Sequence, residues 1–362
     1  MEDPFYDFSN KEIYTILNPM GEQIFYNALN VVTDRNYTKL AKLRSVHPSW
    51  ERAWENLEPH VRGGVSPQKE WEGLLREDIR LILFDDIEYP PLLREIPYPP
   101  FGIYVRGPLP QKETLTLAVV GTRKATEEGM SLARTFASDL AKTGITIVSG
   151  LALGIDAAAH RGALEGDGKT LAVLGGGLDR CYPRTNEALA KKILSRGGAL
   201  ISEYPVGSPS FPHRFLERNR IVSGLSRGVL IIEAPAASGA LATARFATEQ
   251  NRDVFVTPGP ATHPHFKGSH ALIRIGAMLV TEPSQILEAW GLASHEKDAL
   301  QNLFSLPEEQ TIVEAFKKSG RALSVDKIIE LTTLNAQTVN RIVTCLLIQG
   351  KVKESGEGYT LA

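Results

Sequence analysis

The stretch Leu115-Thr116-Leu117-Ala118-Val119-Val120-Gly121-Thr122-Arg123 decides the fold. It is a β-rich run with little polar alternation, as expected of a strand buried on both faces. It ends in a glycine, where the chain must turn tightly toward a helix that runs through Ala141 and stops at Gly144. The same unit then repeats. Ile145 to Val148 is a strand ending in Ser149-Gly150-Leu151-Ala152, and Gly154-Ile155-Asp156 opens a helix through Leu164. Thr170 to Leu174 is a strand ending in Gly175-Gly176-Gly177. A helix near Asn186 to Ser195 leads to a strand at Ala199 to Ser202. Val229 to Ile232, Ala240 to Gln250 and Val254 to Val256 continue the alternation. This order predicts an α/β fold, a mostly parallel sheet wrapped by helices.

In such sheets the ligand crevice lies beyond the carboxyl ends of the strands. Helix N-termini there offer free N–H groups and a positive dipole end, which favour phosphate. Gly121-Thr122-Arg123, Ser149-Gly150 and Ser238-Gly239 are therefore expected to converge on one rim. Arg214-Phe215-Leu216-Glu217-Arg218-Asn219-Arg220-Ile221-Val222 should join them as a helix. Ile221, Val222 and Leu225 have the helical spacing of a buried face. Arg214, Arg218 and Arg220 face a single local carboxylate, Glu217. Guanidinium groups grip phosphates in bidentate fashion, and the ring of Phe215 can stack a base. The plainer account is an amphipathic helix with solvated or paired arginines, beside glycines that only make turns.

The 362 residues suffice for two or three domains, and 23% are charged with a formal net charge of −2. A globally basic nucleic-acid coat is thus excluded, and any such site must be a local patch. Cys181 and Cys345 lie far apart and match no metal-ligand spacing. This fits a reducing compartment. The start Met1-Glu2-Asp3 is unlike a signal peptide, and no apolar run reaches spanning length. A soluble cytoplasmic protein without membrane contact, metal or cofactor is expected.

Residues 1 to 75 read as a small helical domain, with Ile13, Ile16 and Leu17 on one face and Leu40, Leu43 and Val46 on another. Trp50, Trp54 and Trp71 read as packing residues. A strand is expected at Ile79 to Phe84, followed by a proline-dense connector and a strand at Phe101 to Gly107. The sheet domain spans 76 to 290. Residues 291 to 304 read as a linker with helical leaning. From 305 to 362, three helices are expected: one from Ser305-Pro307 to Gly320, one from Ser324 to Leu331, and one from Asn335 to before Gly350. The third has an apolar face of Val339, Ile342, Val343, Leu346 and Leu347, opposite Gln337, Asn340, Arg341 and Thr344. With Gly350 to Lys353 and Tyr359 to Leu361 as a wing, this predicts a winged-helix domain that contacts duplex DNA or protein.

Several motifs are set aside. Gly168-Lys169-Thr170 lacks the earlier glycine of a P-loop, whose place falls on Ala163, and it leads into a strand. No G-x-G-x-x-G follows the first strand, which disfavours a dehydrogenase. Gly175-Gly176-Gly177 reads equally as a phosphate nest or as a tight turn. Asp156 and His160 stand one helical turn apart, a possible dyad, but Asp156 reads more simply as the cap of its own helix. His263, His265 and His270 have no Cys or carboxylate cluster beside them in the sequence to make a metal site.

Taken together, these residues resemble the DNA-processing protein A family, called DprA or Smf. The resemblance rests on Tyr89-Pro90-Pro91-Leu92-Leu93, Val105-Arg106-Gly107, Gly121-Thr122-Arg123, Ser149 to Asp156, Ala159-His160, Tyr182-Pro183, Ser202-Glu203, Arg218-Asn219-Arg220-Ile221, Ser238-Gly239 and Thr257-Pro258-Gly259. It covers about residues 80 to 285. It implies an extended Rossmann-like domain that binds single-stranded DNA, forms a homodimer and helps load RecA recombinase during natural transformation. By the resemblance, Gly121, Thr122 and Arg123 bind a phosphate, Phe215 contacts a base, and Arg214, Arg218, Asn219 and Arg220 line the same pocket. Arg184 is a further phosphate contact. Ser269 to Val280 resembles the dimerisation element, with His270, Leu272, Ile273 and Leu279 as its contacts. The chain departs from the family pattern at Leu216, where a proline is usual, and at Ala237, where a basic residue is common. The resemblance implies a binding protein with no catalytic residues. The rival is a nucleoside-monophosphate phosphoribohydrolase on a related fold, with a P-G-G-x-G-T-x-x-E motif. The nearest stretch here, Ser238 to Phe246, ends on Phe246 where the motif needs a carboxylate; Glu249 or another acid would have to substitute.

Overall fold

The structure, a computed structural model, describes residues 21–292, 307–348, 351–356 and 358–361. Ile13, Ile16, Leu17, Ser305, Gly350 and most of the expected linker lie outside the described residues. The chain forms two compact units, one ending at Ile286 and the other beginning at Leu287.

Among the described residues, the first unit opens with five helices, α1 (Glu22–Val32), α2 (Tyr37–Val46), α3 (Trp50–Glu55), α4 (Pro59–Arg62) and α5 (Pro67–Arg76). The strands β1 (Arg80–Leu83) and β2 (Gly102–Arg106) flank a four-residue helix α6 (Pro91–Arg94), all that the proline-dense connector allows. The alternating region follows as β3 (Thr116–Val120), α7 (Glu127–Lys142), β4 (Thr146–Ser149), α8 (Ile155–Glu165) and β5 (Thr170–Val173). It continues through α9 (Glu187–Ser195), β6 (Ala199–Ser202), α10 (Pro212–Gly224), β7 (Gly228–Ile231), α11 (Gly239–Glu249) and β8 (Asp253–Val256). Helix α12 (Lys267–Arg274) and strand β9 (Met278–Leu279) come last, and helix α13 (Pro283–Ala289) holds the division at Ile286.

The nine strands make one sheet in the order β1-β2-β6-β5-β4-β3-β7-β8-β9. Strand β2 runs antiparallel to both its neighbours, β1 and β6. The remaining pairs are parallel. The chain steps from β3 outward through β4, β5 and β6, then returns to the other side of β3 with β7. The switch point therefore lies between the carboxyl ends of β3 and β7, where α/β sheets form their crevice.

Alternate strand residues enter opposite cores, as the two-residue period requires. Ile103, Val105, Leu171, Val173 and Ile201 pack on one face, with Ile221 and Val222 of α10. Tyr104, Ala172 and Leu200 pack on the other, with Tyr26 and Leu29 of α1 and with the buried Trp50 and Trp54. The helical N-terminal part is thus laid directly on the sheet. Asn30 donates to the Tyr104 hydroxyl (3.2 Å) and to the Glu203 carbonyl (3.1 Å), and Tyr104 donates to Asn27 (2.8 Å). At the end of α1, Asp34 and Arg35 both adopt left-handed backbone, with φ of 55° and 63°. This places Arg35 Nε 2.7 Å from the Ser208 hydroxyl and Asp34 3.8 Å from Arg214.

The second unit, taken by itself, holds helices α14 (Pro307–Ser319), α15 (Val325–Thr332) and α16 (Ala336–Ile348) and the antiparallel pair β10 (Val352–Ser355) and β11 (Gly358–Leu361). Val339, Ile342, Val343 and Leu346 bury against Ile312, Phe316 and Ile328, while Gln337, Asn340, Arg341 and Thr344 face outward.

His160 lies inside the sheet unit, fully buried on α8. The Thr170 hydroxyl donates to the Ile147 carbonyl (2.7 Å), so it can only accept from His160 Nδ1 (2.7 Å). The ring is therefore the Nδ1–H tautomer, bonded to Thr170, while the Asp156 carboxylate accepts from Gly150 and Ala152. Burial, helped by the charges of Arg218 and Arg161, pushes its pKa down to about 3. A histidine with a depressed pKa stays neutral in the folded state while the unfolded chain takes up a proton below ~6.5. Its stabilising contribution is complete above that pH and is lost on acidification toward about pH 3. Urea titrations across this window should show stability falling less steeply with acid for His160→Gln, by up to one proton per molecule. A limb as steep as wild type would exclude this histidine as the group responsible.

Candidate nucleic-acid interface

At the switch point the chain leaves β3 through Gly121, which passes between two neighbours. An added Cβ there would come 2.5 Å from the Ile155 side chain and 3.0 Å from the Glu233 carbonyl, so only glycine fits. Thr122 N–H donates to the Glu233 carbonyl (2.7 Å), and Lys124 N–H donates to the Thr122 hydroxyl (3.2 Å). These bonds set Arg123 and Lys124 on the rim, both exposed and neither in an ion pair among the described residues. Arg123 lies over the Phe215 ring, 5.0 Å from its centroid. Helix α7 starts only at Glu127, so this turn, and not the helix end, forms the wall.

The opposite wall is the start of α11. Ser238 caps it by accepting from Ala240 N–H (3.2 Å). An eleven-residue helix thereby aims its positive end into the space between. That space is a cavity of about 400 Å³. Gly121, Thr122, Arg123, Gly150, Phe215, Arg218, Asn219, Ser238 and Gly239 all line it, as the strand-end argument expects, together with Lys124, Asp156 and Ala237.

The floor is built around Arg218. Its guanidinium is 3% exposed and donates to the carbonyls of Gly150 (2.6 Å) and Val173, the ends of β4 and β5. Its Nε donates to Asn219 Oδ1 (3.2 Å), whose amide donates in turn to the Gly239 carbonyl (3.2 Å). One side chain thus ties two strand ends to α10 and, through Asn219, to α11. A Cβ on Gly150 would sit 2.2 to 2.4 Å from the guanidinium atoms, which explains the glycine. Burial pushes Arg218 down to about 10, with Asp156 opposing and Arg123 reinforcing, so it stays charged at neutral pH.

Asp156 does not cap its own helix. It reaches back to accept from Gly150 N–H (3.0 Å) and Ala152 N–H (3.4 Å). The cap position is Gly154, whose φ of 73° suits glycine and which offers no side chain. Asp156 instead pins the loop in which Leu151 holds a left-handed φ of 57°. Asn186 pins the same loop from the other side, donating to the carbonyls of Leu151 (2.8 Å) and Ala152 (3.2 Å). Burial raises the Asp156 pKa; Arg218 and these N–H groups pull it back.

The other two arginines of α10 point elsewhere. Arg214 is buried, donates to the Pro209 carbonyl (2.8 Å) and stacks on Tyr204 and Phe211. Arg220 pairs with Glu203 at 2.6 Å; burial opposes its charge, but Glu203 prevails and holds its pKa up. The helix already begins at Pro212, so Leu216 lies within it, half-exposed, where the family pattern has proline. Arg184 stands exposed on the 179–187 loop, outside the cavity lining. Gly175 lies under Phe215 and Gly177 N–H donates to the Ser208 carbonyl (3.0 Å), so these glycines serve close packing.

His265 pairs with the buried Glu233, and His270 Nε2 contacts the Gly259 carbonyl (3.1 Å). Leu272 and Ile273 pack against the main core, while Ile275, Met278 and Leu279 lie exposed at the open edge of the sheet. Glu249, the alternative acid of the hydrolase reading, stands at the far end of α11 and pairs with Arg245 (3.3 Å), outside the cavity lining.

The mostly parallel α/β sheet thus carries, at its switch point, a cavity lined by Arg123, Lys124 and Arg218. Comparison with known proteins places this fold in a family. The sequence profile of DNA recombination-mediator protein A matches residues 80–291. Protein Smf of Escherichia coli is 43% identical over 273 residues, 74% of this chain and 72% of the relative. DNA processing protein DprA of Streptococcus pneumoniae is 40% identical over 205 residues, 57% of this chain and 72% of the relative. The X-ray structure of the Streptococcus pneumoniae protein superposes with a TM-score of 0.58 and 33% identity, over 78% of this chain and 98% of that one. A structure of DNA processing protein A from Helicobacter pylori, described for its single-stranded DNA binding mode, superposes with a TM-score of 0.53 and 30% identity, over 59% of this chain and 95% of that one. The chain belongs to the DNA recombination-mediator protein A family, also called DprA or Smf.

The two arginines of the cavity should differ in their effect on stability. Arg218→Ala removes a buried charged donor from two carbonyls and should cost on the order of 3–5 kcal/mol. Arg123→Ala, on the exposed rim, should stay within about 0.5 kcal/mol of wild type. Urea denaturation of both variants checks this, and equal losses would contradict the assignment of Arg218 as the floor.

Proposed function

We propose that the chain binds single-stranded DNA in this cavity and helps load RecA recombinase onto it, without catalysis, during natural transformation in the cytoplasm. The observation that carries the reading is the cavity itself, which brings Arg123, Lys124 and the N-terminus of α11 around one opening beside Phe215. A phosphate meets N–H groups and cations there, while a base meets an aromatic face. Gly121 and Thr122 shape the phosphate turn, Arg218 and Asn219 form its floor, and Arg184 extends the positive rim. Arg214 and Arg220 act by holding α10 against the loops beside it. Family membership supports the RecA step, and the three helices and hairpin of the second unit serve as a winged-helix module for duplex DNA or protein.

The test is oligonucleotide affinity measured by anisotropy from low to physiological salt. Binding should weaken as salt rises, with a slope that falls by about 0.7 per phosphate contact removed. Arg123→Ala and Lys124→Ala should each cost about ten- to one-hundred-fold in affinity, since a charge-assisted bond is worth ~1.5–3 kcal/mol. Loading is read as faster RecA filament assembly on DNA precoated with single-strand-binding protein. Unchanged affinity in the Arg123→Ala/Lys124→Ala variant would move the site elsewhere, and absence of any binding would sink the reading.

We further propose that the exposed set Ile275, Met278 and Leu279, with His270, Leu272 and Ile273 behind it, forms a homodimer contact. Apolar side chains on an open sheet edge are otherwise a liability. Sedimentation equilibrium should show a dimer that Ile275→Glu/Leu279→Glu converts to monomer. A wild-type monomer at micromolar concentration would refute the contact.

A further inference from the structure

Beyond the main cavity, a second and smaller hollow of about 60 Å³ opens on the far side of Phe215. Both are lined by Arg123, Gly150, Ala152, Phe215 and Arg218. Those five residues therefore stand between the two spaces, and among them the Phe215 ring with Arg123 over it is the aromatic part of the partition. The second space has its own walls, Tyr182 and Leu153, which do not line the first. Tyr182 is 52% exposed and Leu153 46% exposed, an uncovered aromatic and an uncovered aliphatic side chain facing one hollow. The Tyr182 ring stands 5.3 Å from Phe215 at an interplanar angle of 34°.

The loop that carries Tyr182 is fixed. Asn186, four residues on, ties it to the Leu151 and Ala152 carbonyls. The platform is therefore held before any ligand arrives, which lowers the ordering cost of binding. The hollow has room for a few waters only. It is too small to enclose a base, so a base placed there lies across its mouth, flat on Tyr182 with an edge over Leu153.

We infer that Tyr182 is a second base-stacking platform, so that the site takes two successive nucleotides. One base enters the main cavity and the next stacks on Tyr182. The phosphate between them crosses the Phe215 partition beneath Arg123. This inference rests on the single-stranded DNA reading above. It adds a residue that makes no ionic contact and acts on the base alone.

The full chain is titrated with oligo-dT and with an abasic oligomer of equal length, using wild type, Tyr182→Ala, Tyr182→Phe and Arg123→Ala. Stacking on one base predicts that Tyr182→Ala weakens oligo-dT binding about five- to one-hundred-fold. It should leave abasic binding and the salt slope unchanged. Tyr182→Phe should stay within about twofold of wild type, because the π-face remains. Arg123→Ala should weaken both oligomers and reduce the salt slope. Unchanged oligo-dT affinity in Tyr182→Ala, while Arg123→Ala still loses binding, overturns the second platform and leaves the first site standing. Equal losses on both oligomers overturn it as well, since they would show a backbone or folding effect. Failure of wild type to bind either oligomer removes the DNA reading and this platform with it.

Discussion

A single buried guanidinium holds the rim of the switch-point cavity together. Arg218 reaches from α10 to the carbonyls that end β4 and β5, and through Asn219 it reaches the first turn of α11. A charge withdrawn from water is costly unless it is well satisfied. The fold meets that demand with two carbonyls at strand ends and with the nearby negative charge of Asp156. Gly150 is the hinge of the arrangement: its N–H donates to Asp156 and its carbonyl accepts from Arg218. The positive potential of the cavity and the geometry of its floor are thus one feature, and neither can be altered alone.

The chain carries a net charge of −2, yet its cavity is cationic. Local arrangement produces this, since the other arginines of α10 are neutralised by Asp34 or Glu203 and turned away from the opening. The free charge is left to Arg123 and Lys124 on the rim. A cavity built this way concentrates positive potential at one opening without making the whole surface cationic.

The sheet was readable because its strands are buried on both faces and so appear as unbroken apolar runs, each ending in Gly or Ser before a helix. The meeting of Gly121, Gly150, Ser238 and Arg218 on one rim followed from strand-end topology and needed no knowledge of side-chain direction. What a helix does with three arginines was not readable in the same way. Whether Arg214 and Arg220 face the cavity depends on where α10 starts, and Pro212 starts it earlier than the Arg-Asn-Arg run suggests. The partners that settle the matter, Asp34, Glu203 and the Gly150 carbonyl, lie far off in sequence. Asp156 misled for a related reason: a carboxylate at a helix start looks like a cap, but here it serves the loop before the helix. Asn186 carried no signal at all, because its ligands are backbone carbonyls more than thirty residues away. Lys124, adjacent to Arg123, was in plain view as a second rim cation.

The left-handed turn at Asp34–Arg35 ends the first N-terminal helix against the segment that leads into α10, touching Ser208 and Arg214. On the same side, Tyr26 and Leu29 share a core with Leu81, Leu83 and Tyr104 of the sheet. The helices before residue 76 and the sheet after it therefore share one core. A chain cut at residue 76 would uncover the part of the sheet face that α1 and α3 pack on and leave Arg214 without its carboxylate. The helices before the sheet are part of its foundation, and the segment that carries Phe211 and Phe215 is moored at its base to the start of the protein.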